Sequence, residues 1–245
     1  MTGITPGQQA TASPPEALPA QRPSGPGWTL RDSWVGLALA IPAVILSAVA
    51  VEMTFQPRLK TAVALAVYEL ALLAPVVLVF AWRRVSWKRL GFRWFDPKTL
   101  AIGCGLLIAT YAATIIHNTI LLVLGVPTQA DSIVELLQTT ASAWGLALGG
   151  VLVAPIVEEI VFRGFFFQGL RQSYGSTKAI FISSAVFALM HMQLEALIPT
   201  FLLGCALAYV YDRANSIWPG VLLHFLQNLL GICLVLASAQ LPQSF

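Results

Sequence analysis

Three short motifs place ionisable and amide side chains at helical spacing inside apolar stretches of the sequence. They are Glu158-Glu159 with Arg163, Phe187 with His191, and His224 with Asn228. Ionisable groups inside an apolar span are costly and indicate function by default. Carboxylates and imidazoles exchange protons near neutral pH, and imidazole and carboxamide groups donate hydrogen bonds to a developing oxyanion. These residue types therefore fit general acid–base chemistry on a polar bond.

The two adjacent glutamates have different neighbours on a helix. Glu159 and Arg163 are four residues apart, so they share one face and can form an ion pair. Glu158 lies about 100° round the helix from Glu159, so it can point into a cavity without that charge partner. Pro155 removes a backbone donor and can bend the helix, which makes room for water. Glu158 is therefore the candidate general base, and the ion pair is its support.

The depths of these groups in their spans can be compared by counting residues. At about 1.5 Å per residue, the groups lie about 13–20 Å from the polar end of each span. One slab near the membrane middle is thus predicted to hold Glu158, His191, His224 and Asn228. The same count puts His117 and Asn118 near the opposite end of their helix, so they are poor candidates. Glu69 lies at a compatible depth, where it lines the same cavity or, as we favour, is a structural carboxyl between helices.

The composition of the chain requires a surface that faces lipid. Hydrophobic residues make up 57% of the 245 residues and charged residues 10%, whereas soluble domains carry about 25% charged residues. So few charges cannot cover a globule of this size, and we predict an integral membrane protein. The net charge of +3, without a basic stripe, argues against a nucleic-acid partner. The odd, widely separated set of Cys104, Cys205 and Cys233 predicts neither a disulfide framework nor a cysteine metal site.

Seven apolar stretches approach the length of about 20 residues that a spanning helix needs. They cover residues 34–53, 62–82, 99–124, 143–169, 177–192, 194–211 and 216–238. Short alternating strands are not seen, so the predicted fold class is all-α, a polytopic transmembrane helical bundle of about seven spans. Eleven Lys and Arg residues fall on the side of the N-terminal tail and only Arg58 and Lys60 on the other, which predicts a cytoplasmic N-terminus.

The sequence also predicts a division into three regions. Residues 1–30 are rich in Pro, Gly, Ala and Ser, which predicts a disordered N-terminal tail. Residues 31–130 hold the N-terminal transmembrane helices and a basic interfacial loop at 83–98, where aromatic side chains alternate with cations. Residues 143–238 contain all three motifs and form the predicted core of the site.

The three motifs resemble those of the CPBP intramembrane proteases, which include type II CAAX prenyl endopeptidases of Rce1 type and bacterial Abi relatives. The family's EExxxR, FxxxH and HxxxN motifs occur here in the same order, and the surroundings Ala154-Pro155, Arg163-Gly164 and Trp218-Pro219-Gly220 are also similar. The resemblance covers about residues 143–232. It implies an endopeptidase in the bilayer, with a cavity open to the cytoplasm. Its implied partners are membrane lipid and a membrane-associated or lipidated peptide or protein, which is prenylated in eukaryotic members.

The roles that follow from the resemblance and the chemistry can be assigned residue by residue. Glu158, assisted by His191, takes a proton from the attacking water, while His224 and Asn228 stabilise the oxyanion. Glu159 and Arg163 hold the helix and orient Glu158. Zinc or another divalent metal is the alternative cofactor, with Glu158, His191 and His224 as ligands. The sequence lacks HExxH, and we favour the metal-free mechanism.

Three other interpretations remain open from the sequence. The polar groups can be structural contacts between helices in lipid. A proton-coupled carrier also uses carboxylates and imidazoles in a membrane, but no second copy of the 143–232 pattern is evident. A non-catalytic immunity or scaffold protein would keep the fold and bind a partner. The compact length and the tail composition favour the inner (plasma) membrane of a bacterium.

Overall fold

The computed structural model of the chain describes residues 25–55, 57–139 and 148–240. All regular structure in these ranges is helical, which confirms the predicted all-α bundle. The helices are α1 (Leu30–Thr54), α2 (Pro57–Arg83), α3 (Pro97–Val123), α4 (Gln129–Thr139), α5 (Ala154–Glu158), α6 (Gln168–Tyr174), α7 (Ser176–Met190), α8 (Leu197–Ala214) and α9 (Trp218–Gln240). Two π-helical stretches, Leu148–Val153 and Glu159–Phe167, flank α5, and α6 follows directly, so the chain is continuously helical from Leu148 to Tyr174. We call this continuous helix the central helix.

Helices occupy the described part of all seven positions at which spans are predicted, and residues 143–147 of the fourth lie outside the described residues. Four described stretches are long and apolar enough to cross a membrane by length and composition: Leu30–Thr54, Val63–Arg83, Pro97–Val123 and Trp218–Ala237. Helix α7 is apolar but has only 15 residues. The chain is thus a helical membrane protein, and a total of seven spans is compatible with the structure. For the central helix, α7 and α8, spanning stays a prediction.

The N-terminal tail ends earlier than the sequence predicts. Trp28 is buried, and its indole nitrogen donates to Ser33 Oγ at 3.1 Å and to the Phe165 carbonyl at 3.2 Å. Thr29 caps α1 in a reciprocal pair with Asp32. Predicted disorder up to residue 30 is therefore wrong for residues 25–30, because one large aromatic side chain and a capping box tie them to the bundle. Residues 1–24 of the predicted tail lie outside the described residues.

One apolar core joins the N-terminal helices to the central helix. It combines Leu37 of α1 and Phe80 of α2 with Phe162, Phe165 and Phe166 of the central helix. Lipid offers no hydrophobic driving force between helices, so close van der Waals contact among these large aromatic side chains stabilises the packing. The boundary between regions 31–130 and 143–238 stays a prediction, and the core extends across it.

The basic loop at 83–98 is attached to the bundle by its backbone. It contains a 3-10 turn, Trp87–Leu90, whose Leu90 is fully buried. Tyr211 donates its hydroxyl hydrogen to the Leu90 carbonyl at 3.1 Å, and Gln168 donates to the Arg89 carbonyl at 2.8 Å. A β-carbon on Gly164 would lie 3.1 Å from the Leu90 oxygen. A glycine after Arg163 thus lets the loop approach the central helix closely.

Helix α4 is an element that the sequence analysis does not predict. The Thr128 backbone N–H and hydroxyl both donate to Asp131 Oδ2, at 2.7 and 2.9 Å. Because the Thr128 backbone N–H stabilises the charged form, the pKa of Asp131 lies below its ordinary value. The spacing of Thr128 and Asp131 is the sequence signature of a helix start, and it could have revealed α4.

Candidate functional site

The central helix carries an ion pair that is fully enclosed by protein. Arg163 Nη1 lies 3.1 Å from Glu159 Oε1, and the two side chains are 1% and 0% exposed. Arg163 Nη2 also donates to the Gly204 carbonyl of α8 at 3.4 Å. Both residues belong to the π-helical stretch Glu159–Phe167, and π-helical turns are frequent at functional sites. The predicted pairing of Glu159 with Arg163 is present in the structure.

A glycine on α9 makes room for the carboxylate of this pair. A β-carbon built on Gly220 would lie 2.5 Å from Glu159 Oε2. The backbone of α9 can approach the central helix at this point only because position 220 has no side chain. The Trp218-Pro219-Gly220 sequence therefore has a direct steric role beside the buried acid.

Phe187 of α7 contacts groups from all three motifs. The Arg163 guanidinium lies over its ring at 4.2 Å from the centroid. The rings of His191 and His224 lie edge-on to it, with centroid separations of 4.6 and 5.9 Å. A cation over an aromatic face is stabilised by the ring quadrupole, most of all where water is excluded. The phenylalanine of the FxxxH motif is thus a platform for the cation and both imidazoles.

His224 lies between the two glutamates. Its Nε2 is 3.6 Å from Glu158 Oε2, and its Nδ1 is 3.4 Å from Glu159 Oε1. The imidazole is 2% exposed, and Glu158 Oε2 is buried without a hydrogen-bond partner among the described residues. A protonated His224 would form ion pairs with both acids, whereas a neutral ring donates from one nitrogen only. The sequence analysis does not predict this bridging position.

The orientation of His191 follows from one backbone hydrogen bond. Its Nδ1 lies 2.8 Å from the Phe187 carbonyl, and a carbonyl oxygen only accepts, so Nδ1 carries a hydrogen. In the neutral ring the lone pair is then on Nε2. His191 is half-buried at the end of α7. It therefore has the tautomer that accepts a proton through Nε2.

One cavity brings the candidate residues together. It has a volume of about 280 Å³, and Glu158, His191, His224 and Asn228 all line it. Asn228 Nδ2 donates to the carbonyl of Gly150, in the π-helical stretch Leu148–Val153, at 2.8 Å. Other polar side chains at the wall, which the sequence analysis does not single out, are Thr110, Thr114, Gln129, Gln193, Thr200 and Gln227. Amides and hydroxyls inside apolar stretches are the signal that could have found them.

The three other polar residues that the sequence raises are Glu69, His117 and Asn118, and none of them is among the described residues that line this cavity. Glu69 lines a smaller cavity of about 200 Å³, and Glu158 and His191 line that cavity too. The imidazole Nε2 of His117 is 2.9 Å from the Glu195 carbonyl, in the loop after α7. Among the residues described for the main cavity, neither His117 nor Asn118 contributes to the wall.

The donor set does not fit a three-ligand metal site. In residues 25–55, 57–139 and 148–240, no group of three His, Cys, Asp or Glu side chains is arranged to hold a metal ion. A zinc site needs three protein ligands converging at about 2.0–2.2 Å around one point. We therefore derive no chemical step through the alternative zinc ion.

Comparison with known proteins connects this geometry to one family. Residues 140–230 match the family described as Type II CAAX prenyl endopeptidase Rce1-like. A protein of Bacillus subtilis (strain 168) named "Putative membrane peptidase YdiL" is 27% identical over 124 residues, 51% of each chain. The "UPF0177 protein YxdF" of Lactococcus lactis subsp. lactis (strain IL1403) is 30% identical over 81 residues, 33% of this chain and 44% of the relative. No solved structure matches the chain.

Fold and site together define a helical membrane protein with a buried acid, imidazole and amide site between its helices. Residues 140–230 are similar to the Rce1-like family, and this match together with the Bacillus relative confirms the resemblance to CPBP proteases that the three motifs indicate. The chain spans about half the length of the curated relatives it matches.

Proposed function

We propose that the chain is an intramembrane endopeptidase in which Glu158 activates the water that hydrolyses a peptide bond. One observation carries the proposal: Glu158, His191, His224 and Asn228, from three separate motifs, line a single cavity. The Rce1-like match and the peptidase name of the Bacillus relative support the reaction class. The substrate class is a membrane-associated or lipidated protein or peptide.

The first step requires a base and a partner that shares the proton. The Glu158 side chain lines the cavity and is 13% exposed, so its carboxylate can accept a proton from a water held there. His191 offers the lone pair of Nε2 to the same water. General base catalysis of this kind contributes about 10²–10⁴-fold to the rate. The water oxygen forms a bond to the carbonyl carbon, and its proton passes to Glu158.

The second step requires stabilisation of the negative oxygen and a proton for the leaving group. The proposed donors are the Nε2–H of a doubly protonated His224, whose Nδ1–H is held by Glu159, and an amide N–H of Asn228. Both residues line the cavity. Asn228 Nδ2 carries two hydrogens, and its bond to the Gly150 carbonyl uses only one of them. The proton held by Glu158 then passes to the amide nitrogen, and the C–N bond breaks as the oxyanion re-forms the carbonyl. The products are a carboxylic acid and an amine, which ionise to a carboxylate and an ammonium ion.

Glu159 and Arg163 act as positioning residues in this proposal. Glu159 holds His224 from the side of Nδ1, and Arg163 neutralises Glu159 without contributing to the cavity wall. Removing one partner of a buried ion pair leaves an uncompensated charge, at a cost of about 3–5 kcal/mol. The pair therefore fixes the position of the imidazole rather than reacting with the peptide.

The proposed location is the plasma (inner) membrane of a bacterium. The two relatives reported above come from bacteria, and four described stretches are suited to span a membrane. A prenyl group on the substrate belongs to the eukaryotic members that the motifs resemble, and in a bacterium we expect another lipid anchor or a transmembrane anchor. The side on which the cavity opens is a separate question, because the basic loop and the cavity lie toward opposite ends of the bundle.

The test compares variants in proteoliposomes with a library of internally quenched peptides, whose cleavage sites are read by mass spectrometry. We expect Glu158→Gln to abolish cleavage and Asn228→Ala to lower the turnover rate by about 10²–10³-fold, the usual effect of losing an oxyanion donor. Cys233→Ala, an exposed position on the same helix as Asn228, is the matched control with full activity. Full activity in both site variants would refute the assignment.

Three further measurements separate the alternatives. If the membrane proteomes of cells with wild-type protein and with Glu158→Gln are identical, a scaffold or immunity role replaces the peptidase role. Proton-coupled solute uptake by proteoliposomes would favour the carrier. Loss of cleavage after exhaustive chelation, restored by zinc, would favour the metal mechanism over the one proposed.

A further inference from the structure

The two ends of the helical bundle differ in charge. We call one of them the basic end, because ten described cations lie at the helix termini and connections there: Arg31, Arg83, Arg84, Lys88, Arg89, Arg93, Lys98, Arg171, Lys178 and Arg213. The opposite end, which we call the loop end, includes the connections at 124–128 and 191–196. Neither connection contains Lys or Arg, and α4 contains none either. Arg58 and Lys60, at the start of α2, are the cations toward this end.

A layer of packed side chains lies between the site and the basic end. Leu90, Phe167 and Tyr211 are fully buried between the basic loop, the central helix and α8. Backbone contacts fix this layer, since Ser216 Oγ donates to the Arg93 carbonyl at 2.6 Å and the Ile217 N–H to the Gly91 carbonyl at 3.1 Å. Interiors packed in this way leave no space for a peptide. An extended substrate therefore cannot reach Glu158 through this packed layer.

The cavity extends toward the loop end. Its wall includes Gln129 and Ile133 of α4 and Gln193 of the 191–196 connection. It also includes Ile232, which lies 14 residues after the start of α9, about 21 Å along the helix axis. In the same connection as Gln193, Met192 is 88% exposed. Among the described residues, the cavity is therefore accessible to a peptide from the loop end.

We propose that the substrate enters from the extracytoplasmic face of the membrane. Cations in short connections mark the cytoplasmic side, so the basic end is cytoplasmic and the cavity opens on the other side. The sequence analysis expects a cytoplasmic N-terminus and, from the family resemblance, a cavity open to the cytoplasm. In this bundle the N-terminal helix starts at the basic end and the cavity extends to the opposite end, so only one of these two expectations can hold. The proposal on the entry side rests on geometry and charge, and its consequence for the substrate rests on the proposed peptidase function.

The substrate class follows from the entry side and the cavity wall. The substrate is then a polypeptide anchored in the membrane, and the segment that is cleaved lies on the extracytoplasmic side of that membrane. No Lys or Arg is found among the described residues that line the cavity, whereas recognition of a free C-terminal carboxylate uses such cations. Uncharged amides and hydroxyls, such as Gln129, Gln193 and Thr114, suit the backbone of an internal, extended segment instead.

Cysteine labelling of the full chain tests the entry side. The background variant has Cys104, Cys205 and Cys233 replaced by Ala, and single cysteines are then placed at Thr114, Met192 and Lys88. Intact spheroplasts and inside-out vesicles are treated with a membrane-impermeant thiosulfonate. We expect Thr114→Cys and Met192→Cys to react at least tenfold faster in spheroplasts, and Lys88→Cys at least tenfold faster in inside-out vesicles.

A matched control checks that labelling reports the cavity rather than the lipid surface. Ile115 lies next to Thr114 on α3 but is 65% exposed on the outside of the bundle, so Ile115→Cys should stay unlabelled from both sides. Faster labelling of Thr114→Cys in inside-out vesicles would overturn the proposed entry side. So would a Thr114→Cys that stays unlabelled in spheroplasts in which Met192→Cys reacts.

The labelling result is independent of the proposed peptidase function. The same labelling is repeated with Glu158→Gln in the background, which removes the proposed base and leaves the cavity. Spheroplast-side labelling without any peptide cleavage would refute the peptidase and leave the entry side standing. Cleavage of peptides together with labelling from inside-out vesicles alone would refute the entry side and leave the peptidase standing.

Discussion

Replacing Gly220 by alanine disturbs the position of one carboxylate without removing any proposed reacting group. The added methyl carbon would lie 2.5 Å from Glu159 Oε2, while ordinary contact begins at 3.4 Å. Glu159 must therefore retreat by about 0.9 Å, or α9 must move away from the central helix by a similar distance. Either movement changes the 3.4 Å separation between Glu159 Oε1 and His224 Nδ1.

The expected effect is a loss of turnover with a folded protein. A misplacement of about 1 Å in a catalytic geometry costs about 10²-fold in rate, and overpacking a close contact costs about 1–3 kcal/mol of stability. We expect Gly220→Ala to lower kcat by about 10–100-fold, with KM within about threefold of wild type, because position 220 is not part of the described cavity wall. The assay is cleavage in proteoliposomes of the best peptide from the library.

Two variants make this prediction specific. Gly105→Ala on α3 is the control, since nothing lies within 4 Å of a β-carbon there, and its kcat should equal that of wild type. Glu159→Asp combined with Gly220→Ala shortens the acid that meets the new methyl group, so it should recover at least fivefold over Gly220→Ala alone. A Gly220→Ala protein with wild-type kcat would refute the positioning role of Glu159.

Further predictions concern the platform, the smaller cavity and the cap of α4. Phe187→Leu removes the ring beneath the Arg163 cation and should lower the free energy of unfolding in detergent by about 2–4 kcal/mol; a change below 1 kcal/mol would contradict the platform role. Glu69→Gln should retain at least a tenth of wild-type kcat, because Glu69 lines only the smaller cavity; a loss as complete as that of Glu158→Gln would make Glu69 part of the chemistry. Thr128→Val removes the hydroxyl contact of the α4 cap, worth about 0.5–2 kcal/mol, and should speed hydrogen exchange in α4 and raise KM without changing kcat, whereas Thr119→Val, whose hydroxyl bonds its own helix, should do neither.

Motif spacing was sufficient to predict which candidate groups share a site. The i to i+4 spacing of Glu159 with Arg163 places both on one face, and the ion pair is present at 3.1 Å. Counting residues from the span ends gives similar depths for Glu158, His191 and His224, and all three line one cavity. Such arithmetic works because a helix fixes both the angle and the rise per residue.

Contacts that depend on the path of the backbone could not be read from the sequence. The π-helical stretches on both sides of α5 have the same apolar pattern as a regular helix, so neither was predicted. Asn228 bonds the carbonyl of Gly150 in one of them, and His224 lies between two acids because Gly220 lets α9 approach. The ordered residues 25–30 were missed because Trp28 is a single aromatic residue in a stretch of small ones.

The π-helical stretch Glu159–Phe167 makes the site sensitive to chain length. Its hydrogen bonds enclose one more residue per turn than those of an α-helix. Deleting one residue there would have to be absorbed by a change in turn geometry, which alters the rotation and rise of everything that follows relative to Glu158. The Phe165 and Phe167 side chains would then leave the faces on which α1 and α8 pack. Single-residue deletions should therefore be tolerated poorly within the stretch Glu159–Phe167 and well in the exposed 124–127 connection. Among natural variants, insertions and deletions should concentrate in the 124–127 connection.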